Sequence, residues 1–364
     1  MWFSNDNKDA TDTREWEKRM VMQKEIFPVN QAFRDYLQHY GRDTALPVLY
    51  HHLVNYSYAN SIKDKKGKWT HWENAVYETE HFEKLKQGLL TNYAILKKLP
   101  VTIVQEQYNV ERIDFCDYGN SIPFRIKIAE NNSGRHDFFY VKQADASRIY
   151  GLELEHLLTH NPINFLHYQN TLVEEHIDGI AGDIFLEQNP GMGGSERKAI
   201  AKAFVQFNEN CFVRLLGDMR SYNFVINSLS SDSHTRYRLR AIDFDQQCYE
   251  GRKVLYFPGF YKENAAYVEL VLQHLTAVEI EESQQIEFAS MAARIINYRR
   301  RLMELLNSMV NDDISENYKI NILKNELNHH FNTTRFAACK TMGAIVKQQL
   351  KQVLQKHVQR VNRK

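Results

Sequence analysis

No run of 18 apolar residues, no CxxC pair and no excess of either charge occurs in this chain, and each absence removes a class of function. Without a stretch of about 20 apolar residues no helix can span a bilayer. The first residues, MWFSNDNKDATDTREWEKR, lack the apolar core of a secretory leader. The cysteines Cys116, Cys211, Cys248 and Cys339 stand far apart, which predicts free thiols in a reducing compartment, neither a disulfide framework nor a zinc site. The expected location is therefore cytoplasmic. With 46 Lys plus Arg against 45 Asp plus Glu, no net field favours nucleic acid or an anionic membrane. Seven prolines in 364 residues leave little room for rigid linkers. A nucleophile elbow, a dinucleotide fingerprint, a helix-turn-helix signature, internal repeats and low-complexity segments are missing too.

What is present is an ordinary globular composition, 43% hydrophobic and 25% charged, in a chain long enough for two lobes with separate cores. Residues 10–100 carry aromatics at helical spacing, in VNQAFRDYLQHY and HFEKLKQGLLTNYAILKKL. Between these lies a partly alternating stretch that would make a hairpin around Lys65, Lys66, Gly67 and Lys68. From 103 to 178 the pattern is that of strands: VERIDFC, IPFRIKIAE and DFFYVK alternate, separated by the turns DYGNS and NNSGRH. A helix, ASRIYGLELEHLLTH, and two further strands, INFLHYQ and TLVEEHI, complete five strands and one helix. After 179 helices dominate. Ser195 is placed to cap ERKAIAKAFVQFNENCFVRLL. The stretch LLGDMRSYNFVIN then leads into a hairpin that ends at AIDFD, and the chain closes on a basic amphipathic helix.

The polar loop in LLGDMRSYNFVIN sits between a helix and a strand, where Gly, Asp and Asn suit neither. GDMRSYNFVIN resembles the Gly-Asp-x-x-x-x-Asn loop of the protein-kinase-like superfamily, and AIDFD resembles its Ile-Asp-aromatic metal motif. The resemblance covers residues 105–260 and lies nearest to the aminoglycoside and choline phosphotransferases and the sugar kinases. It implies an α+β, two-lobed protein-kinase-like fold: a small five-stranded antiparallel N-lobe with one helix, a larger mostly helical C-lobe, and a largely helical N-terminal extension. The expected divisions are 1–102, 103–178 and 179–364.

The resemblance also implies a chemistry. Transfer of the γ-phosphate of ATP rests on positioning and on neutralising phosphate charge. Magnesium takes hard oxygen ligands, so Asn223 and Asp243 would hold it, with Asp245 as a further carboxylate in reach. Asp218 would orient the acceptor hydroxyl, and Arg220 stands where protein kinases carry a lysine that contacts the transferred phosphate. Lys142 would reach the ATP phosphates and needs a carboxylate to hold it. Glu153 and Glu155 are the candidates; only Glu153 falls on the apolar arc of Ile149, Tyr150, Leu154, Leu157 and Leu158, so it is the expected partner. Gly119 and Ser121 would lie over the phosphates, although the turn is poor in glycine. Glu175 and His176 fall at the hinge, where backbone groups would read adenine.

Two readings follow. One is a Mg–ATP-dependent phosphotransferase acting on a small molecule or sugar; the other is a pseudokinase that senses nucleotide or serves as a scaffold. Transfer of AMP is a third chemistry known among similar folds, and no residue favours it. No nucleic-acid partner and no membrane span are expected, and a protein partner could use the N-terminal extension. Two other stretches are decoys. GMGGSERK lacks the Gly-Lys-Ser/Thr ending of a phosphate loop, and His156 and His160 have helical spacing but no third zinc ligand, which makes them surface histidines.

Overall fold

The computed structural model describes residues 24–64, 66–116, 121–230 and 235–361. Its first half holds helices α1 (Gln31–His39) and α2 (Tyr50–Leu53), strands β1 (Tyr58–Lys63) and β2 (Trp69–Val76), and helices α3 (Thr79–Lys97) and α4 (Val101–Gln107). Strands β3 (Tyr108–Cys116), β4 (Phe124–Glu130) and β5 (His136–Gln143) follow, then helix α5 (Ala146–Leu158) and strands β6 (Phe165–Tyr168) and β7 (Thr171–Glu175). These strands form one antiparallel sheet in the order β1-β2-β3-β4-β5-β7-β6. Alternation explains its inner face: Phe124, Ile126 and Ile128 of β4 share a buried cluster with Leu85, Leu89 and Tyr93 of α3.

The sheet has seven strands, not the five expected. The hairpin expected around residues 65–68 supplies the other two, and β2 joins β3 through Trp72 opposite Cys116 and Asn74 opposite Asp114. Little in the sequence marked this. Of β2 only Ala75 is buried, so the apolar signal on its inner face is weak. Residues before 103 also grip α5, where Phe33 stacks on Tyr150 with ring centroids 3.7 Å apart.

The second half begins with β8 (Ile180–Ala181), α6 (Gly182–Gln188) and α7 (Gly194–Arg214). The hairpin of β9 (Phe224–Ser230) and β10 (Thr235–Ala241) forms a three-stranded sheet with β8. Then come α8 (Ala265–His274), α9 (Ala277–Asn297), α10 (Arg299–Val310), α11 (Asn317–His330) and α12 (Met342–Val361). The molecule is thus a mixed α+β protein, an antiparallel sheet followed by a helical part.

Helix α7 starts two residues earlier than Ser195 as a cap implies. Gly193 takes the capping position and donates its N–H to Glu196 Oε2 at 2.9 Å. The basic final helix buries Ile345, Val346, Leu350 and Leu354, so its apolar stripe belongs to the core. At Gly343 a Cβ would fall 2.0 Å from the Met309 carbonyl oxygen, so α12 approaches α10 as only glycine allows. Among the described residues no helix is long and apolar enough to cross a membrane.

One half-buried acid in this half predicts a pH effect. Glu287 on α9 accepts from Asn210 Nδ2 at 2.7 Å. Burial, helped by Glu155 and Glu209 and opposed by Asn210 and Arg214, pushes its carboxyl up from 4.5 to about 7. A raised folded value means that stability present below pH 4.5 is lost as pH rises through 7. Glu287→Gln is therefore expected to stabilise the protein at pH 8 by about 1–2 kcal/mol and to change little at pH 4. Urea midpoints at the two pH values measure this, and an equal effect at both would exclude the titration as its cause.

Candidate active site

Helix α7 ends at Arg214, and the capping residue Leu215, with a φ of 58°, turns the chain out of the helix. Gly217 then donates to the Gln246 carbonyl at 3.2 Å, and Asp218 adopts φ 55°, the left-handed conformation that Asp tolerates better than most side chains. The Asp218 N–H donates to Tyr261 Oη at 2.9 Å, and that hydroxyl donates to the Leu255 carbonyl at 2.7 Å. Asn223 Nδ2 donates to the Asp218 carbonyl at 2.7 Å. Ile242 donates its N–H to the Asn223 carbonyl at 3.0 Å, closing the base of the β9–β10 hairpin and setting Asp243 beside the loop. So two positions 25 apart in sequence, Asp218 and Asp243, come together with Asn223 at the base of the hairpin.

Arg220 holds Asp218. Its Nε donates to Asp218 Oδ1 at 2.7 Å, its Nη1 donates to Glu263 at 2.7 Å, and its guanidinium lies over the Tyr261 ring. Burial, with the charges of Asp243 and Glu250, pushes the Asp218 carboxyl up to about 6 against the pull of Arg220.

The expected Lys142–Glu153 pair is absent. Lys142 Nζ instead donates to Glu174 Oε2 on β7 at 2.8 Å. Glu153 accepts from Tyr36 Oη at 2.6 Å, Arg42 Nε at 3.1 Å and Arg301 Nη2 at 2.7 Å, away from the lysine. Helix α5 is buried on every side, so Glu155 is enclosed as well and pairs with Arg214 at 2.5 Å. The helical wheel assumed one buried face, and that assumption misassigned the partner.

Arg148, buried on the first turn of α5, takes the position between the strand and the carboxylates. Its Nε and Nη2 grip both oxygens of Glu174, and its Nη1 reaches Asp243 Oδ1 at 2.8 Å and Asp245 Oδ1 at 2.7 Å. Gly151 makes the approach possible, because a Cβ there would lie 3.0 Å from Phe244 Cβ and 3.1 Å from Gln247 Cβ. Ser147 Oγ fixes the same loop by donating to the Gln247 carbonyl at 2.7 Å. Burial raises the Asp243 carboxyl, and its neighbour Asp245 raises it further. For Asp245 burial is outweighed by Arg148, Lys24 and Lys142, which hold it below the usual carboxylate range.

Ser121 lines a small cavity with Lys24, Gln143, Asp145 and Asp245, while Gly119 lies outside the described residues. Glu175 ends β7 and His176 follows it, but their N–H groups donate to the carbonyls of Asn164 and Phe138 at 3.1 and 3.3 Å. These two N–H groups are therefore already engaged. His156 is half-buried, not a surface group, and accepts from the Ile163 N–H at 3.4 Å. Arg148, Glu174, Lys24 and Tyr261 were not singled out by sequence. Glu174 and Arg148 carried a signal, a charge inside an apolar strand and another inside an apolar helix.

The donor set suits a magnesium ion shared with phosphate. No described residue donates a hydrogen bond to Asp243 Oδ2 or Asn223 Oδ1. Both are hard oxygens of the kind magnesium prefers, and its other positions usually go to phosphate and water. Among the described residues no group of three His, Cys, Asp or Glu side chains could hold a metal unaided.

No protein-family model matches the chain, and no curated protein does either. Among solved structures it is similar to a chain of the crystal structure of the Rad53 kinase domain and SCD2, with 16% identity over 51% of this chain and 80% of that one. The TM-score is 0.24, too low to establish a shared fold.

Proposed function

We propose that the protein is a Mg–ATP-dependent phosphotransferase that acts on a hydroxyl of a small molecule or sugar. One observation carries this reading: the loop and hairpin bring Asp218, Asn223 and Asp243 to one place, joined by the Asn223–Asp218 and Ile242–Asn223 hydrogen bonds. Asp243 and Asn223 would hold the metal, and Lys142, fixed by Glu174, would face the phosphates. Magnesium, when bound, neutralises phosphate charge. Asp218 binds the acceptor hydroxyl and receives its proton at Oδ2, whose contact with Asn223 Nδ2 is long, at 3.4 Å. Arg220 itself, tied to Asp218 and Glu263, positions that carboxylate. The acceptor class rests on the resemblance of GDMRSYNFVIN and AIDFD to small-molecule kinases.

Calorimetric titration of Mg–ATP into the wild type and into Asp243→Ala, with a melting curve of each, tests the site. Binding is expected to need both magnesium and Asp243, with a loss of at least about tenfold in affinity in the variant, or about 1.4 kcal/mol. Equal binding by the two proteins would remove Asp243 from the site.

A second reading, a nucleotide-sensing pseudokinase, is favoured by the hold of Arg148 on Asp243 Oδ1. Nucleotide binding with no transfer to any acceptor would select it, and an Asp218-dependent phosphorylated product would exclude it.

A further inference from the structure

A guanidinium rarely sits wholly inside a protein without matched acceptors. Arg148 has three carboxylates: both oxygens of Glu174, Asp243 Oδ1 and Asp245 Oδ1. The remaining inner contact of Asp243 Oδ1 is the Asp245 N–H at 3.1 Å. The inner edge of the Asp243–Asp245 pair is therefore filled by protein donors. The arginine has little freedom to leave, because Asp145 caps its helix, Ser147 bonds the Gln247 carbonyl and Gly151 abuts Phe244 and Gln247. The side chain is 2% exposed, so it does not meet a substrate directly.

We infer that Arg148 is a built-in counter-ion that stands where a second divalent cation would otherwise bind, so that the site admits one divalent ion, at the outer oxygens of Asp243 and Asn223. The charges support this arithmetic. Lys142 and Arg148 face Glu174, Asp243 and Asp245, which leaves one formal negative charge for an incoming cation instead of two. A cation held by that residual charge and two protein oxygens binds weakly alone and tightly only with phosphate oxygens added. Asp245 then serves as the acceptor that keeps Arg148 in place, and its buried carboxylate is a partner of the arginine. The nucleotide half of this inference rests on the function proposed above; the counter-ion half does not.

Mn2+ binding, followed by electron paramagnetic resonance of the free ion, reads the inference without reference to activity. The wild-type chain should bind Mn2+ only weakly by itself and should bind one ion per chain with a non-hydrolysable ATP analogue. Arg148→Met/Asp245→Asn removes one charge of each sign, so the folded state keeps its charge balance; a melting curve checks that it folds. Without nucleotide it should bind Mn2+ at least about tenfold more tightly than the wild type: the residual charge is the same, but Asp243 Oδ1, no longer held by the guanidinium, becomes a further oxygen ligand. Two ions per wild-type chain with the analogue, or unchanged Mn2+ affinity in the double variant, would overturn the inference. If the analogue fails to bind, the proposed function falls, and tighter metal binding by the double variant still supports the counter-ion. Should the double variant not fold, stoichiometry in the wild type decides: one ion supports the inference, and two ions or none contradict it.

Discussion

Asp218→Asn is expected to lower phosphate transfer about 10²–10⁴-fold while leaving Mg–ATP affinity nearly unchanged. The amide keeps the shape of the side chain and can still accept from Arg220 Nε, which donates to Asp218 Oδ1 at 2.7 Å. It also leaves the backbone bonds to Tyr261 and Asn223 intact, since they use the main chain of residue 218. What is lost is the oxygen that takes a proton from the acceptor. Product formation measured alongside calorimetric affinity separates the two effects. A loss of binding equal to the loss of transfer would make Asp218 part of the nucleotide site. Unchanged turnover in both Asp218→Asn and Asp243→Asn would sink the phosphotransferase reading.

The second large effect falls on stability. Glu153→Ala should cost about 3–5 kcal/mol, because it leaves the guanidinium groups of Arg42 and Arg301 without their shared carboxylate. Glu153 is fully buried, and Tyr36 Oη adds a bond of 2.6 Å. These donors come from α1, from the loop after it and from α10, so the carboxylate ties three parts of the chain to α5. Burial opposes its ionisation, but Arg42 and Arg301 outweigh burial and hold its carboxyl below the ordinary value. A depressed value means that this stabilisation is present at neutral pH and is lost as pH falls through the folded value. Urea unfolding of the wild type and Glu153→Ala at pH 7 reads the difference. A variant of normal stability with lost nucleotide affinity would return Glu153 to the role that the helical wheel first suggested.

That misassignment shows how far local pattern reaches. Strand alternation in IPFRIKIAE and DFFYVK is written into the chain, because the pleat puts every second side chain on one face. The Gly-Asp loop was legible for a similar reason: a left-handed backbone at Asp218 requires residues that neither helix nor strand prefers. The need of Glu153 for a cation was legible as well, since a buried carboxylate cannot stand alone. Which cation answers it was not. Arg42 and Arg301 lie 111 and 148 residues away, on elements whose packing no local window reports.

The same division holds at the site. Sequence alone placed Asn223 and Asp243 at the two ends of one hairpin, which folds them together, while the place of Asp218 beside them was implied by the resemblance of GDMRSYNFVIN. Tertiary structure decided that β1 and β2 extend the sheet, that Glu174 holds Lys142, and that Arg148 lies between the carboxylates. Those outcomes depend on which buried charges find each other once the sheet and α5 are packed. A buried charge specifies only that a partner must exist; the identity of the partner is fixed by the three-dimensional approach of distant elements.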